Sequence, residues 1–337
     1  MLSFVFADLC GNDFTIDHTY ETYKSFQVVV ICQGKAFELT AENQGTVVSS
    51  REIFELRSDQ EETDTRTVLY ASYAVKQGYE NVRVRSPDSD IFFILLHFAP
   101  LLAIRILFDT GTGNKRRLLN ITEISGRHSQ RFNTSMMALH AYTGCDTTSA
   151  FKGIGKQKPI KLLKKMSRFE PAIAKLGESW EVTDAMFQQL EEFTCHLYGQ
   201  PRLSSIDSAR LHLLKKKCDS NGNLDPSRNI DIANLPPCSN TLKQHIRRAN
   251  YQVGIWKKAL DNFPEIPDPS DHGWVVNDGK MEPLWCDGPV LPNQLVDVLE
   301  SRFVTSNEND DDEDIDYYAD ADLEYLSDES DLNSDVE

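Results

Sequence analysis

The sequence predicts an α/β domain built on a mainly parallel sheet, followed by a mostly helical extension and an acidic tail. Three observations predict it. A β-rich run at residues 26–31 precedes a segment with helical apolar spacing at 66–77 (Val68, Ala71, Ala74, Val75) and then an alternating strand at 81–85. Strand, helix and strand in that order read as a right-handed crossover, which sets strands parallel and gathers ligands at their carboxyl ends. After Lys165 the chain is mixed and mostly helical in its apolar spacing. Residues 304–337 hold fifteen Asp and Glu and no Lys or Arg, a composition that buries too little to fold.

Taken in order, residues 35–39 return from the first strand as a hairpin after Gln33-Gly34, and 44–50 read as a loop. The polar, acidic stretch 59–65 starts the first helix and Gly78 closes it. Residues 91–108 form an eighteen-residue apolar run of membrane-span length, but His97, Pro100 and Arg105 interrupt it. A buried helix, a break at Pro100 and a buried strand explain it better. Gly111-Thr112-Gly113-Asn114 lacks the Gly-Lys-Ser/Thr ending of a phosphate loop and reads as the turn before a returning segment at 117–124. Helices follow at 130–142, 183–198, 208–217 and 240–260, the last with Leu242, Ile246, Ala249, Val253 and Trp256 inward and Arg247 and Arg248 outward. Residues 219–237 read as a loop. Trp274 and Trp285 are expected to pin the proline-rich stretch 264–292 to the core, and 294–303 to add a last helical turn.

The 337 residues carry a net charge of −17, which at first argues against nucleic acid. Without the tail, 37 acids face 35 bases, so the remainder is near neutral and its basic patches are local. The seven cysteines (Cys10, Cys32, Cys145, Cys195, Cys218, Cys238, Cys286) are scattered, odd in number and never Cys-x-x-Cys. That pattern fits a reducing compartment and argues against structural zinc. The first ten residues have no basic region and include Asp8, so no signal peptide is expected. The expected location is nuclear or cytoplasmic, away from membranes.

Two short pieces carry the chemistry. One is the strand Val82–Arg85 running into Ser86-Pro87-Asp88-Ser89-Asp90; the other is Gly144-Cys145-Asp146, followed by Gly153-Ile154-Gly155 and a run of lysines. With Glu62 and Asp64 at the start of the first helix, Asp88, Asp90 and Asp146 make five carboxylates able to hold two Mg²⁺ or Mn²⁺ ions. Most of these pieces also have a bland reading: Ser-Pro-Asp-Ser-Asp as a helix cap, Glu62 and Asp64 as acids favoured by a helix dipole, and Gly153-Ile154-Gly155 as a tight interhelical turn. Lys152, Lys156, Lys158, Lys161, Lys164, Lys165 and Arg168 crowd seventeen residues that contain no acid. This is either a phosphate footprint, with Gly153, Gly155, Lys156, Lys158 and Lys161 facing the backbone of nucleic acid, or a solvated helix face.

These residues resemble a known group. Gly144-Cys145-Asp146, six residues, then Gly153-Ile154-Gly155 with Lys158 and Leu162-Leu163 is similar to the helix–two-turn–helix segment of flap endonucleases and XPG-type nucleases. In that PIN-like superfamily an acidic pair at a helix start precedes an Asp-x-Asp at a strand end, as Glu62-x-Asp64 and Asp88-x-Asp90 do here. The likeness covers residues 26–168. It implies a three-layer PIN-like α/β/α domain at 1–168 with the helix–two-turn–helix at 143–168, a helical extension at 169–303 and a disordered tail at 304–337. It further implies a metal-dependent nuclease acting on DNA, with Glu62, Asp64, Asp88, Asp90 and Asp146 as catalytic metal ligands. The alternative is a degenerate relative that binds nucleic acid or protein without cleavage. The wider chain, through Leu235-Pro236-Pro237 and Trp274 to Trp285, also resembles uncharacterised PIN-like proteins repeated in invertebrate and fish genomes, a pattern that suggests transposon origin. There is one departure: the superfamily places a metal-binding Asp at the end of its first strand and another acid beyond it. Asp8 is the candidate for the first, after a short intervening segment, so an incomplete acidic set through N-terminal truncation or decay is expected.

Overall fold

The computed structural model describes residues 4–8, 27–32, 34–42, 47–218 and 231–288; the expected final helical turn at 294–303 and the acidic tail lie outside them, as does most of the expected loop at 219–237. The fold is mixed α/β. Strands β1 (Phe4–Asp8), β2 (Gln27–Cys32), β3 (Lys35–Glu42) and β4 (Val47–Glu52) form one sheet in that order, β1 parallel to β2 and the others antiparallel. Strands β5 (Asn81–Arg85), β6 (Arg105–Thr110) and β7 (Arg117–Asn120) form a second, with β5 parallel to β6 and β7 antiparallel. A hairpin, β8 (Trp274–Asn277) and β9 (Lys280–Pro283), stands apart. The helices are α1 (Thr63–Lys76), α2 (Ser89–Phe98), α3 (Ile121–Gly126), α4 (Gln130–Tyr142), α5 (Gln157–Lys165), α6 (Glu170–Ala174), α7 (Asp184–Leu197), α8 (Ile206–Lys215) and α9 (Ser239–Lys257).

Three expectations are corrected. The sheets are mixed rather than mainly parallel, β1/β2 and β5/β6 being the parallel pairs among the described residues. The expected loop at 44–50 contains the start of β4, whose residues pair with β3 from Phe37↔Glu52 to Glu42↔Val47. The crossover helix is α2, which joins β5 to β6; α1 instead lies between the two sheets. Its sequence explains this, because both faces of α1 are apolar. Val68, Ala71 and Ala74 enter the main core, while Leu69, Tyr70 and Tyr73 pack with Val29, Ile31, Ala36, Ile53 and Leu56 of the first sheet and the turn after it.

Helix α2 is apolar all round and every side chain from Asp90 to Phe98 is buried, so it forms the centre of the main core. The break follows at Ala99–Leu101 around Pro100, as expected. Met136, Leu139 and Tyr142 of α4, which packs on α2, belong to the same core as Leu190, Phe193 and Leu197 of α7 and Leu242, Ile246, Val253 and Trp256 of α9, which packs on α4. The chain after residue 168 therefore shares one core with the chain before it. Among the described residues no helix is long and apolar enough to cross a membrane.

Arg248 is buried, not outward. It fills the space between α9 and the hairpin, donating to Gly273 O (3.0 Å) and Leu284 O (2.7 Å), with Trp274 and Trp285 at 5.8 and 5.4 Å. Burial lowers its pKa to about 10, which leaves it charged at neutral pH. Trp274 is partly buried beside this guanidinium, whereas Trp285 is 57% exposed, so the expectation that both tryptophans pin the stretch to the core is not met by Trp285. Arg248→Ala takes the donor from Leu284 O and one of two donors from Gly273 O, which keeps the Leu284 N–H, and is expected to cost about 2–3 kcal/mol, read as a lowered melting temperature with faster amide exchange across 274–283. An unchanged melt would mean that the hairpin is held elsewhere.

Candidate functional site

The sequence brings acids to three chain turns, and packing around α2 brings those turns together. Glu62 is the N-cap residue of α1 and Asp64 lies in its first turn. Asp88 caps α2, its Oδ1 accepting from the Asp90 N–H at 2.8 Å, so the cap reading of Ser-Pro-Asp-Ser-Asp holds for this residue. Asp146 lies two residues after Gly144, whose φ of +115° and close approach to Ala150 (2.9 Å from where a Cβ would stand) admit no side chain. Asp88, Asp90 and Asp146 line one cleft of about 440 Å³ with His140, Cys145 and Lys156.

Burial raises all five carboxyls, and acidic neighbours add to it at Glu62, Asp64, Asp88 and Asp146. Burial pushes Asp64 up to about 7, and the charges of Asp88, Asp90, Glu62 and Asp146 add to it. Burial likewise lifts Asp90 to about 6, against the opposing pull of Lys156 and the backbone N–H of Asp146. Asp88 and Asp146 are raised first by burial and then by their acidic neighbours. Glu62 is raised by burial although Gln252 Nε2 (2.8 Å) and Trp256 Nε1 (3.1 Å) donate to its two oxygens. Gln252 in turn accepts from Thr147 Oγ1 at 2.8 Å, which ties the turn carrying Asp146 to the start of α1.

Asp90 has a partner that sequence reading missed. His140 Nε2 lies 2.7 Å from Asp90 Oδ1, and its ring stacks on Phe93 at 4.3 Å. Burial and the charge of Lys156 hold His140 well below its usual range, so the contact is a hydrogen bond from a neutral imidazole rather than an ion pair. In the sequence His140 stands at a core-facing position of α4, where a satisfied core histidine is the ordinary reading. Gln252 and Trp256 look equally ordinary, since nothing local marks a residue whose partner lies 190 positions away.

The lysines divide. Lys156, expected to face phosphate, is buried and donates to His140 O (2.7 Å), Thr143 Oγ1 (3.1 Å) and Gly144 O. It answers the carbonyls at the end of α4, which a helix leaves without internal partners. Lys152 pairs with Asp231 and Arg168 with Glu192. Gly153, Gly155, Lys158 and Lys161 are exposed, with Pro159, Ile160 and Leu163 turned inward. Two consecutive hydrogen-bonded turns, Cys145–Thr148 and Phe151–Ile154, join α4 to α5. Asp8 closes β1 opposite Ile31 in the register.

Among the described residues no group of three His, Cys, Asp or Glu side chains stands close enough to hold one metal ion. The donor chemistry nevertheless fits a hard cation: all oxygen, partly desolvated and mutually repelling. No protein-family model, curated protein or solved structure matches the chain.

Two outcomes follow from this geometry. With its pKa raised from 3.8 to about 7, folded Asp64 binds more protons than unfolded Asp64 between those values. Its contribution therefore destabilises the fold increasingly as pH rises through that window and levels off above it. Asp64→Asn in EDTA should melt higher than the parent by a gap that widens from pH 4 to 7 and then stays constant; for a half-buried group, screening leaves roughly 1–2 kcal/mol, or roughly 4 °C. A gap independent of pH would mean that Asp64 titrates normally. Lys156→Ala should lower the melting temperature, at about 2–3 kcal/mol for the carbonyls it abandons. An unchanged melt would mean that the end of α4 does not need this lysine.

Proposed function

We propose that this chain is a metal-dependent nuclease hydrolysing phosphodiester bonds in DNA, on a three-layer PIN-like fold and with a preference for structured substrates such as flaps. The observation that carries the reading is the convergence of Asp88, Asp90 and Asp146 on one cleft, with Asp64 and Glu62 near enough for acid–acid repulsion to add to burial. A fold tolerates such repulsion when a cation relieves it. Asp64, Asp88, Asp90 and Asp146 are the residues that would hold Mg²⁺ or Mn²⁺. Glu62 fixes the start of α1 through Gln252 and Trp256, and His140 orients Asp90. A bound pair of ions supplies an activated water and stabilises the leaving oxygen. A nuclear or cytoplasmic setting fits this substrate.

A second reading has its own support. Glu62 is fully engaged by α9, and no three-ligand group is formed among the described residues. Both features suit a degenerate protein that binds nucleic acid or a protein partner without cutting. Labelled flap and single-stranded DNA incubated with Mn²⁺ separate the two. Cleavage is expected, and Asp88→Asn, which keeps the helix cap, should reduce it at least roughly 100-fold, the scale of lost electrostatic stabilisation at one site. Salt-sensitive binding with no cleavage by the parent protein would favour the binder.

A further inference from the structure

The second sheet has two unlike faces. Ile106, Phe108 and Leu119 are buried, while Arg83, Arg85, Arg105 and Leu118 are exposed. Strands β5, β6 and β7 together carry four arginines and a single acid, Asp109. That acid is 1% exposed, and three guanidiniums converge on it. Arg116 alone satisfies it, with Nε on Oδ1 at 2.9 Å and Nη2 on Oδ2 at 2.7 Å. Arg83 adds a second fork on Oδ2, and Arg85 adds Nη1 on Oδ1 at 2.8 Å. The arginines, chiefly Arg116, hold Asp109 well below the usual carboxylate range, so it stays anionic. Two positive charges are left over, on side chains still about half exposed (52%, 51% and 51%).

We propose that this face binds the phosphodiester backbone of nucleic acid, with Arg83, Arg85 and Arg116 contacting phosphates and Asp109 positioning them. The inference rests on the nuclease reading of the cleft and names the surface that delivers its substrate. Crowding three like charges around one anion is unfavourable unless a further anion completes the cluster, and a guanidinium fork matches a phosphate edge. Anchoring on a buried carboxylate also fixes the forks in advance, which lowers the ordering cost of binding. Arg83 and Arg85 alternate along β5 on one side of the sheet, about 6.6 Å apart. Arg85 lies three residues before Asp88, so their Cα atoms are within about 11 Å. The Ser86 N–H donates to Asp109 O at 3.1 Å, which makes the arginine row and the acidic turn one hydrogen-bonded unit. An acidic protein segment would complement the arginines equally but would then run towards the carboxylates; a metal-bridged phosphodiester has reason to do so.

The test uses the full chain in EDTA, so that it reads binding and not cleavage. Arg83→Gln/Arg85→Gln keeps the Arg116 fork on Asp109; Arg83→Lys/Arg85→Lys keeps the charge. Binding of fluorescein-labelled single-stranded DNA is followed by anisotropy from low to moderate salt. The glutamine pair should weaken binding at least about tenfold and flatten the salt slope by roughly 1.4 units, two single-strand phosphates' worth; the lysine pair should keep most of the slope. On the parent protein, DNA should also protect Arg83, Arg85 and Arg116 from phenylglyoxal, a readout needing no variant. Unchanged affinity and slope in a folded glutamine variant, or no protection, would overturn the proposal. So would tight binding of a synthetic peptide of residues 304–337 that the glutamine pair abolishes while DNA binding persists. Failure of the parent to cleave DNA with Mn²⁺ would count against the nuclease reading alone.

Discussion

The structure depends on one half-buried carboxylate. Glu62 stands at the junction of α1 with α9, and donors from Gln252 and Trp256 meet both its oxygens. An acid so far removed from water is costly unless it is hydrogen-bonded, so moving α9 would leave a charge or a donor stranded. Through Gln252 the same contact reaches Thr147 and the turn that holds Asp146. The first helix, the last long helix and the acidic turn are thereby set relative to one another by four side chains. The hydrophobic core alone, being non-directional, would fix them far less tightly.

What could be read in the sequence, and what could not, follows from the range of each force. Local periodicity gave α4 its bounds at Gln130 and Tyr142, and the Pro100 break after α2 appeared where it was expected. The acids at Glu62, Asp64, Asp88, Asp90 and Asp146 were legible because strand ends and helix starts are local features, and the structure brings them to one region. The pairing of β4 and the position of α1 between two sheets were not legible. Both depend on long-range partners, and a helix with two apolar faces reads much like one with a broad single face. Lys156 shows the same limit at a single residue. A lysine after Gly-x-Gly signals phosphate by composition, yet its side chain turns back to the carbonyls that end α4.

The cleft is a site in which burial and repulsion act together. Asp64 and Asp90 lie in surroundings that resist ionisation, and Lys156 and the Asp146 amide offset this for Asp90 without abolishing it. His140 supplies a neutral donor rather than a second charge, which orients Asp90 and leaves its electrostatics to its neighbours. Half the side chains concerned therefore hold the others in position. Their identities are set by helix ends and core packing as much as by chemistry.

Helix α1 is gripped from two sides, by the main core through Val68, Ala71 and Ala74 and by the first sheet through Leu69, Tyr70 and Tyr73. A cylinder held along one line can roll; one held along two opposed lines cannot. Rolling α1 to re-aim Asp64 would mean unpacking one cluster to favour the other, so the direction of that carboxylate is inherited from residues as remote as Val29 and Ile53. The first sheet acts as the rear bearing of the shaft that carries Asp64.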